Sequence, residues 1–259
     1  MGDQPIISVQ NLSKRFGGVI AVSEVSFEMG KGEILGLIGP NGAGKTTLLS
    51  LLTGFLKPAS GSIHFQGSQI TGFKPHQIAR QGLVRTFQMT TVYNNSTVED
   101  NVLKGAHYRN DLGLWSALWR TDGARTRSEQ IKQQVAEVLE LFELNDWMRQ
   151  EARVLSYGHQ KALGLAIALA SKPSCLLLDE PAAGMNPEET RWIGEVINRL
   201  NSRGISILLV EHDMKMVMSL CHRIVVLNYG AKIAEGSPAE IQTNDEVIKA
   251  YLGDEHVNS

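Results

Sequence analysis

Gly39-Pro40-Asn41-Gly42-Ala43-Gly44-Lys45-Thr46 constrains the fold of this chain more than any other stretch. The apolar run Glu33-Ile34-Leu35-Gly36-Leu37-Ile38-Gly39 ends on the first of these glycines, and Leu48, Leu49, Leu51 and Leu52 follow at helical spacing. The order is therefore a buried strand, a glycine turn and a helix N-terminus. Glycines let consecutive backbone N–H groups turn inward on one anionic group, and the helix end adds partial positive charge. Lys45 places a compact cation near the terminal phosphates of a nucleotide, the Thr46 hydroxyl is a natural Mg²⁺ ligand, and Thr47 reaches the α-phosphate. The expected nucleotide-binding residues are Gly39, Pro40, Asn41, Gly42, Ala43, Gly44, Lys45, Thr46 and Thr47.

Cys175-Leu176-Leu177-Leu178-Asp179-Glu180 supplies the complementary half. An apolar strand that ends in two acids puts Asp179 at the carboxyl edge of the sheet, beside the phosphate site. Asp179 can hold Mg²⁺ through water, and Glu180 can polarise an attacking water. Cys175, inside this apolar run, is expected to be a small buried hydrophobe. Together with Cys221 it forms no metal or redox spacing.

The remaining chain organises around these two strands. Ile6–Gln10 and Val22–Phe27 mix β-branched and polar residues as half-exposed antiparallel strands do, and Gly61–Phe65 reads as another strand. Ser96-Thr97-Val98-Glu99 has capping-box spacing, with Ser96 as the cap. Ile131, Val135, Val138, Leu139 and Phe142 recur at helical spacing, so residues 96–170 are expected to be mostly helical. The last third returns to α/β alternation. Ser206–Val210 and Arg223–Leu227 are strands, and Asn186-Pro187 opens a helix whose apolar face is Ile193, Val196, Ile197 and Leu200.

Further motifs fall in one order. Gln88 follows Arg85-Thr86-Phe87; Leu155-Ser156-Tyr157-Gly158-His159-Gln160 precedes Asp179; Gly184-Met185-Asn186-Pro187 and then Val210-Glu211-His212-Asp213 come after it. This set resembles the ABC ATPases across nearly the whole chain. The resemblance implies an α/β fold: a P-loop NTPase, RecA-like parallel-sheet core with an antiparallel β subdomain and an inserted α-helical subdomain. The implied division is 6–95 and 171–238 for the ATP-binding core, 96–170 for the helical subdomain, and 239–259 for a C-terminal helical tail. It also implies that Phe16 stacks on adenine, that Gln88 senses Mg²⁺ and the attacking water, and that His212 hydrogen-bonds the γ-phosphate. Glu180, His212 and Gln88 are then catalytic. Thr46, Gln88 and Asp179 are then the metal-site residues, and ATP and Mg²⁺ the substrate and cofactor. Ser156, Tyr157 and Gly158 would bind the ATP of a second ATPase subunit, identical or not.

The chain departs from the common family pattern at four places. Tyr157 replaces a glycine of the signature loop, His159 replaces its usual glutamine, Ile167 stands where many members carry arginine, and Asn186 where many carry aspartate. Arg85-Thr86-Phe87-Gln88, Glu180–Pro187, Glu211-His212-Asp213-Met214 and the ending Val247–Gly253 are similar to the ATP-binding subunits of branched-chain amino acid importers. Importers of urea or short amides and a lipopolysaccharide exporter are the neighbouring alternatives.

Composition narrows the partners. Formal net charge is −2, which argues against nucleic-acid binding by bulk charge. One P-loop and no sustained heptads disfavour the ABC proteins that act on ribosomes or DNA. No run approaches the roughly 20 apolar residues that cross a bilayer, and the N-terminus has no basic start or apolar signal core. The expectation is a cytoplasmic subunit held peripherally on the inner face of the membrane by integral permease subunits, and served indirectly by a solute-binding protein. In the segment 112–127, Leu112, Trp115 and Trp119 share one helical face. That face is expected either to pack on the helix from Ile131 to Phe142 or to dock the membrane partner.

Overall fold

The structure is a computed structural model in which residues 4–86, 92–109 and 122–252 are described. Its frame is a six-stranded sheet. Strands β3 (Ile34–Ile38), β6 (Leu83–Thr86), β7 (Cys175–Asp179), β8 (Ser206–Val210) and β9 (Arg223–Asn228) run parallel in the order β9-β3-β8-β7-β6. The hairpin strand β10 (Ala231–Gly236) lies antiparallel on β9.

Every residue of β3, β7 and β8 is buried, and successive side chains enter opposite cores. Ile34, Leu176, Leu178, Ile207 and Leu209 face one side; Leu35, Leu37, Leu177, Leu208 and Val210 face the other. Burial on both faces is why these strands read as continuous apolar runs rather than as alternation.

One face packs on α1 (Lys45–Leu52) and on a four-stranded antiparallel sheet. That sheet, ordered β2-β1-β4-β5, is built from β1 (Ile7–Phe16), β2 (Val19–Met29), β4 (Ser60–Phe65) and β5 (Ser68–Gln69). The helix α2 (Pro75–Gln81) leads into β6 and adds Ile78 to this core. The other face packs on α3 (Val98–Arg109), α4 (Asp122–Leu141), α5 (Tyr157–Ala170), α6 (Pro187–Ser202) and α7 (Met214–Leu220). The chain closes with α8 (Pro238–Gln242) and α9 (Asp245–Leu252), whose Ile241 and Val247 complete that core.

The helical periodicities are realised. Ile131, Val135, Val138, Leu139 and Phe142 are all buried, although α4 ends at Leu141 and Phe142 sits in the following turn. Asn186 caps α6: its side chain accepts from the Glu188 and Glu189 amides at 2.9 Å each, and the Glu189 carboxylate returns to the Asn186 amide at 3.0 Å. Ile193, Val196, Ile197 and Leu200 are fully buried beneath it. Cys175 is buried and unpaired, and burial raises its thiol above the ordinary range.

The cap of α3 differs from the expectation by one residue. Thr97, not Ser96, accepts the Asp100 amide, at 3.0 Å. Thr97 is held by a β-bridge to Glu151, and the Ser96 hydroxyl is engaged by the Lys104 ammonium at 2.8 Å. A contact distant in sequence thus sets the helix start. Asn101 then fixes the approach to α3. Its fully buried amide donates to the Tyr93 carbonyl at 3.1 Å and the Thr97 carbonyl at 2.8 Å, and accepts the Tyr93 amide at 2.8 Å.

Asn101→Ala strands these backbone groups in a dry environment. It is expected to cost about 2–4 kcal/mol, since each unsatisfied buried group carries a penalty of roughly 1–3 kcal/mol. Urea denaturation checks this: a lower midpoint with an unchanged slope is the expected result.

Candidate nucleotide site

The carboxyl ends of β3, β7 and β8 deliver Gly39, Glu180 and Glu211 to one edge of the sheet. A glycine is required at Gly39: a Cβ there would lie 2.1 Å from the Leu227 carbonyl oxygen. Gly44 has φ +102°, and its Cβ would lie 2.4 Å from the Ala21 carbonyl oxygen. The loop is thus clamped between β2 and the β9–β10 turn. The clamp is completed by Gly230, whose amide donates to Ala43 at 3.0 Å and whose carbonyl accepts from Ser23 at 2.8 Å.

Lys45, the first residue of α1, is 7% exposed. Its ammonium donates to the Gly39 carbonyl at 2.6 Å and to the Pro40 carbonyl at 3.0 Å. Burial pushes it below the usual lysine value, while the Glu180 and Asp179 carboxylates pull the other way. Thr46 is exposed on the same first turn, next to Thr47.

Asp179 is nearly buried at the end of β7. Its Oδ2 accepts from the Arg85 guanidinium at 2.6 Å, and Arg85 also donates to Ser50 of α1 at 3.0 Å. Glu180 has φ +50°, a left-handed backbone that is uncommon outside glycine and is found at sites held by their surroundings. The Glu180 amide donates to Val210 at 2.9 Å, and its Oε1 lies 2.9 Å from His212 Nε2. Glu211 underpins this pair. It is 4% exposed and accepts the Ala182 amide at 2.7 Å and the His212 amide at 3.0 Å.

Lys45, Asp179, Glu180 and His212 are thereby brought together. Phe16 ends β1 with its ring 47% exposed and the Lys14 ammonium 5.3 Å from its centroid. Ser156, Tyr157 and Gly158 turn toward the residues after Glu180. The Tyr157 hydroxyl donates to the Ala183 carbonyl at 3.1 Å, and Gly158 lies against the Glu189 carboxylate. Ser156 Oγ is 2.8 Å from His159 Nδ1, and the His159 ring lies between Trp147 and Trp192, at 4.5 and 5.8 Å. Gln88, Trp115 and Trp119 lie outside the described residues.

Three residues of the site carried no separate signal in the sequence. Arg85 and Glu211 act through partners far away in the chain, and neighbouring motif residues drew the attention. Tyr251 of α9 is half-exposed. Burial raises its phenol, and a hydrogen bond with the Gly39 backbone pulls the other way, so the C-terminal helix reaches the start of the P-loop.

Among the described residues no three His, Cys, Asp or Glu side chains converge on a metal position. The donors present, the Thr46 hydroxyl and the Asp179 carboxylate, are hard oxygens. They suit Mg²⁺, which keeps most of its ligands as water and phosphate oxygen.

Comparison with known proteins agrees with this geometry. Residues 22–183 match the ABC transporter family, and residues 231–257 match the branched-chain amino acid ATP-binding cassette transporter family. The chain is 44% identical over 252 residues to the high-affinity branched-chain amino acid transport ATP-binding protein LivG of Salmonella typhimurium, covering 97% of this chain and 99% of that one. It is 41% identical to BraF of Pseudomonas aeruginosa, with the same coverage of both chains. The crystal structure of the ADP conformation of MJ1267, an ATP-binding cassette of an ABC transporter, superposes with a TM-score of 0.85 at 30% identity, over 97% of this chain and all of that one. A strand-to-helix phosphate loop facing paired acids on the next strand but one, together with these matches along the chain, makes this protein an ATP-binding, ATP-hydrolysing member of the ABC transporter family.

Proposed function

We propose that the chain powers an importer of branched-chain or other hydrophobic amino acids by hydrolysing ATP at the edge formed by Lys45, Asp179, Glu180 and His212. The cargo class rests on the relatives and on the match of residues 231–257 to the branched-chain family. These favour it over urea, short amides or lipopolysaccharide. The single observation that carries the chemistry is the Glu180–His212 contact at 2.9 Å, next to an Asp179 that faces the P-loop lysine.

Backbone N–H groups of residues 41–44 and the helix end at Lys45 hold the phosphates, with Phe16 beneath the base. Glu180 takes a proton from the attacking water as the new O–P bond forms and the bond from the γ-phosphorus to the bridging oxygen of ADP breaks. With Nε2 protonated, His212 donates to Glu180 here, and that N–H is the one we assign to the γ-phosphate when ATP is bound. Thr46, Asp179 and Gln88 would hold Mg²⁺, which neutralises phosphate oxygens when bound.

Ser156, Tyr157 and Gly158 serve the ATP of a second ATPase subunit, identical or not; within this chain their contacts run to Ala183 and Glu189. We take 96–170 as the inserted helical unit; its entry is tied to its own interior, where Thr97 bridges to Glu151 and the Ala152 amide donates to Ser96. We take the core as 6–95 and 171–238 and the tail as 239–259. A groove of about 350 Å³, whose lining includes Arg85, Thr86, Tyr93, Lys104, Lys161 and Pro181, opens beside β6, which leads to Gln88. We take it as the surface for the permease subunits, to which a solute-binding protein delivers cargo. No described helix is long and apolar enough to cross a membrane. The permease therefore provides the attachment to the inner face.

Glu180→Gln is expected to keep ATP affinity while turnover falls by about 100-fold or more, the range for loss of a general base. Turnover at the parent rate would refute the assignment of Glu180. The same variant is expected to be monomeric without nucleotide and dimeric with Mg²⁺–ATP. Light scattering reads this, and a monomer under both conditions would remove the shared-site arrangement.

A further inference from the structure

Arg85 connects two segments that carry proposed metal-site residues, β7 and α1. One arm of its guanidinium donates to Asp179 Oδ2 on β7 at 2.6 Å. The other donates at 3.0 Å to Ser50 Oγ, which itself donates at 2.7 Å to the carbonyl of Thr46 one turn earlier in α1. Arg85 lies on β6, and the chain reaches Gln88 three residues later. β6 is held to β7 by the pairing of Arg85 with Leu177 and of Thr86 with Leu178.

Both side chains of the ion pair are only 6% exposed. A buried pair of this kind is weak evidence for stability, because desolvation offsets most of the attraction. It does fix geometry, since a planar fork sets the direction of both acceptors at once. Lys45 and Arg85 lie among the carboxylates of Asp179, Glu180 and Glu211, and nucleotide phosphates would add the further negative charge that a divalent cation needs.

We propose that Arg85 is a positioning residue of the Mg²⁺ site. Through Asp179 and Ser50 it sets the spacing between the acid of β7 and Thr46 of α1, and so determines how tightly Mg²⁺ enters with nucleotide. The inference rests on the reading of Thr46 and Asp179 as metal-site residues. A lysine at this position keeps the charge but cannot span both acceptors.

The test uses the full chain with a fluorescent ATP analogue, titrated with MgCl₂ and separately in EDTA, and records the melting temperature without nucleotide. Arg85→Lys is expected to raise the Mg²⁺ concentration that half-saturates the enhancement of nucleotide binding by about tenfold or more, the usual effect of losing a partner behind a metal ligand. Affinity in EDTA should stay at the parent value. Ser50→Ala keeps the Arg85–Asp179 pair and cuts only the tie to α1. It should shift Mg²⁺ dependence in the same direction by less, with unchanged melting, and it decides the matter if Arg85→Lys does not fold. A Mg²⁺-dependent parent whose folded variants keep its half-saturation overturns the inference alone. Equal losses with Mg²⁺ and in EDTA also overturn it, by showing a general structural role. A parent whose nucleotide affinity ignores Mg²⁺ overturns the metal-site reading and this inference with it.

Discussion

The inner strands of a parallel sheet covered on both faces can present their backbone to water only at their ends. In this chain β3, β7 and β8 are buried along their whole length, and their side chains alternate between two dry cores. Polar chemistry is therefore displaced to the strand termini. At the carboxyl edge the P-loop, Asp179–Glu180 and Glu211–His212 emerge side by side because β3, β8 and β7 are neighbours. The arrangement of the site follows from strand order before any side chain is considered.

Electrostatics at that edge is set by partial burial. Lys45 is desolvated enough to be pushed below the usual lysine range, yet two carboxylates nearby favour its charged form. Its donors are met by two carbonyls of the loop, so the ammonium is never left without acceptors. Asp179 has the Arg85 cation, and Glu180 has His212. Glu211 is engaged with the main chain. Its carboxylate accepts two backbone amides, holding the Ala182 and His212 segments at a fixed distance. The left-handed turn at Glu180 is sustained by these surroundings, including the hydrogen bond from its amide to Val210.

In the central sheet β3, β7, β8 and β9 were legible because burial writes itself as an apolar run, whereas β6 and β10, only partly buried, carried no such run. The α6 start was legible because a cap is local: Asn186, Pro187 and Glu189 carry it within four residues. The P-loop was legible for the same reason. Ser96 was misplaced as a cap by one residue because the decisive contact, the bridge between Thr97 and Glu151, lies about fifty positions away and leaves no local trace. Arg85 and Asn101 were invisible as structural centres on similar grounds. A buried arginine or asparagine looks like a surface one until its partners are known, and the partner of Arg85 stands at position 179. Tyr157 stood out as a departure from a glycine, but its hydroxyl bond to Ala183 required coordinates.

The clamp on the P-loop is made almost entirely of main chain: the carbonyls of Ala21 and Leu227, the amide and carbonyl of Gly230, and the carbonyl of Ala43. Peptide groups are common to all residues, so the cradle depends on local shape at a few glycines and hardly at all on the side chains around it. Val19, Ile20 and Tyr229 project outward from these same segments, Tyr229 with 88% of its surface exposed. The rim of the cleft can therefore change its chemical character through substitution at such positions while the loop it encloses stays the same. The side chains at the mouth and the main chain at the base are in this sense separable within one short stretch of polypeptide.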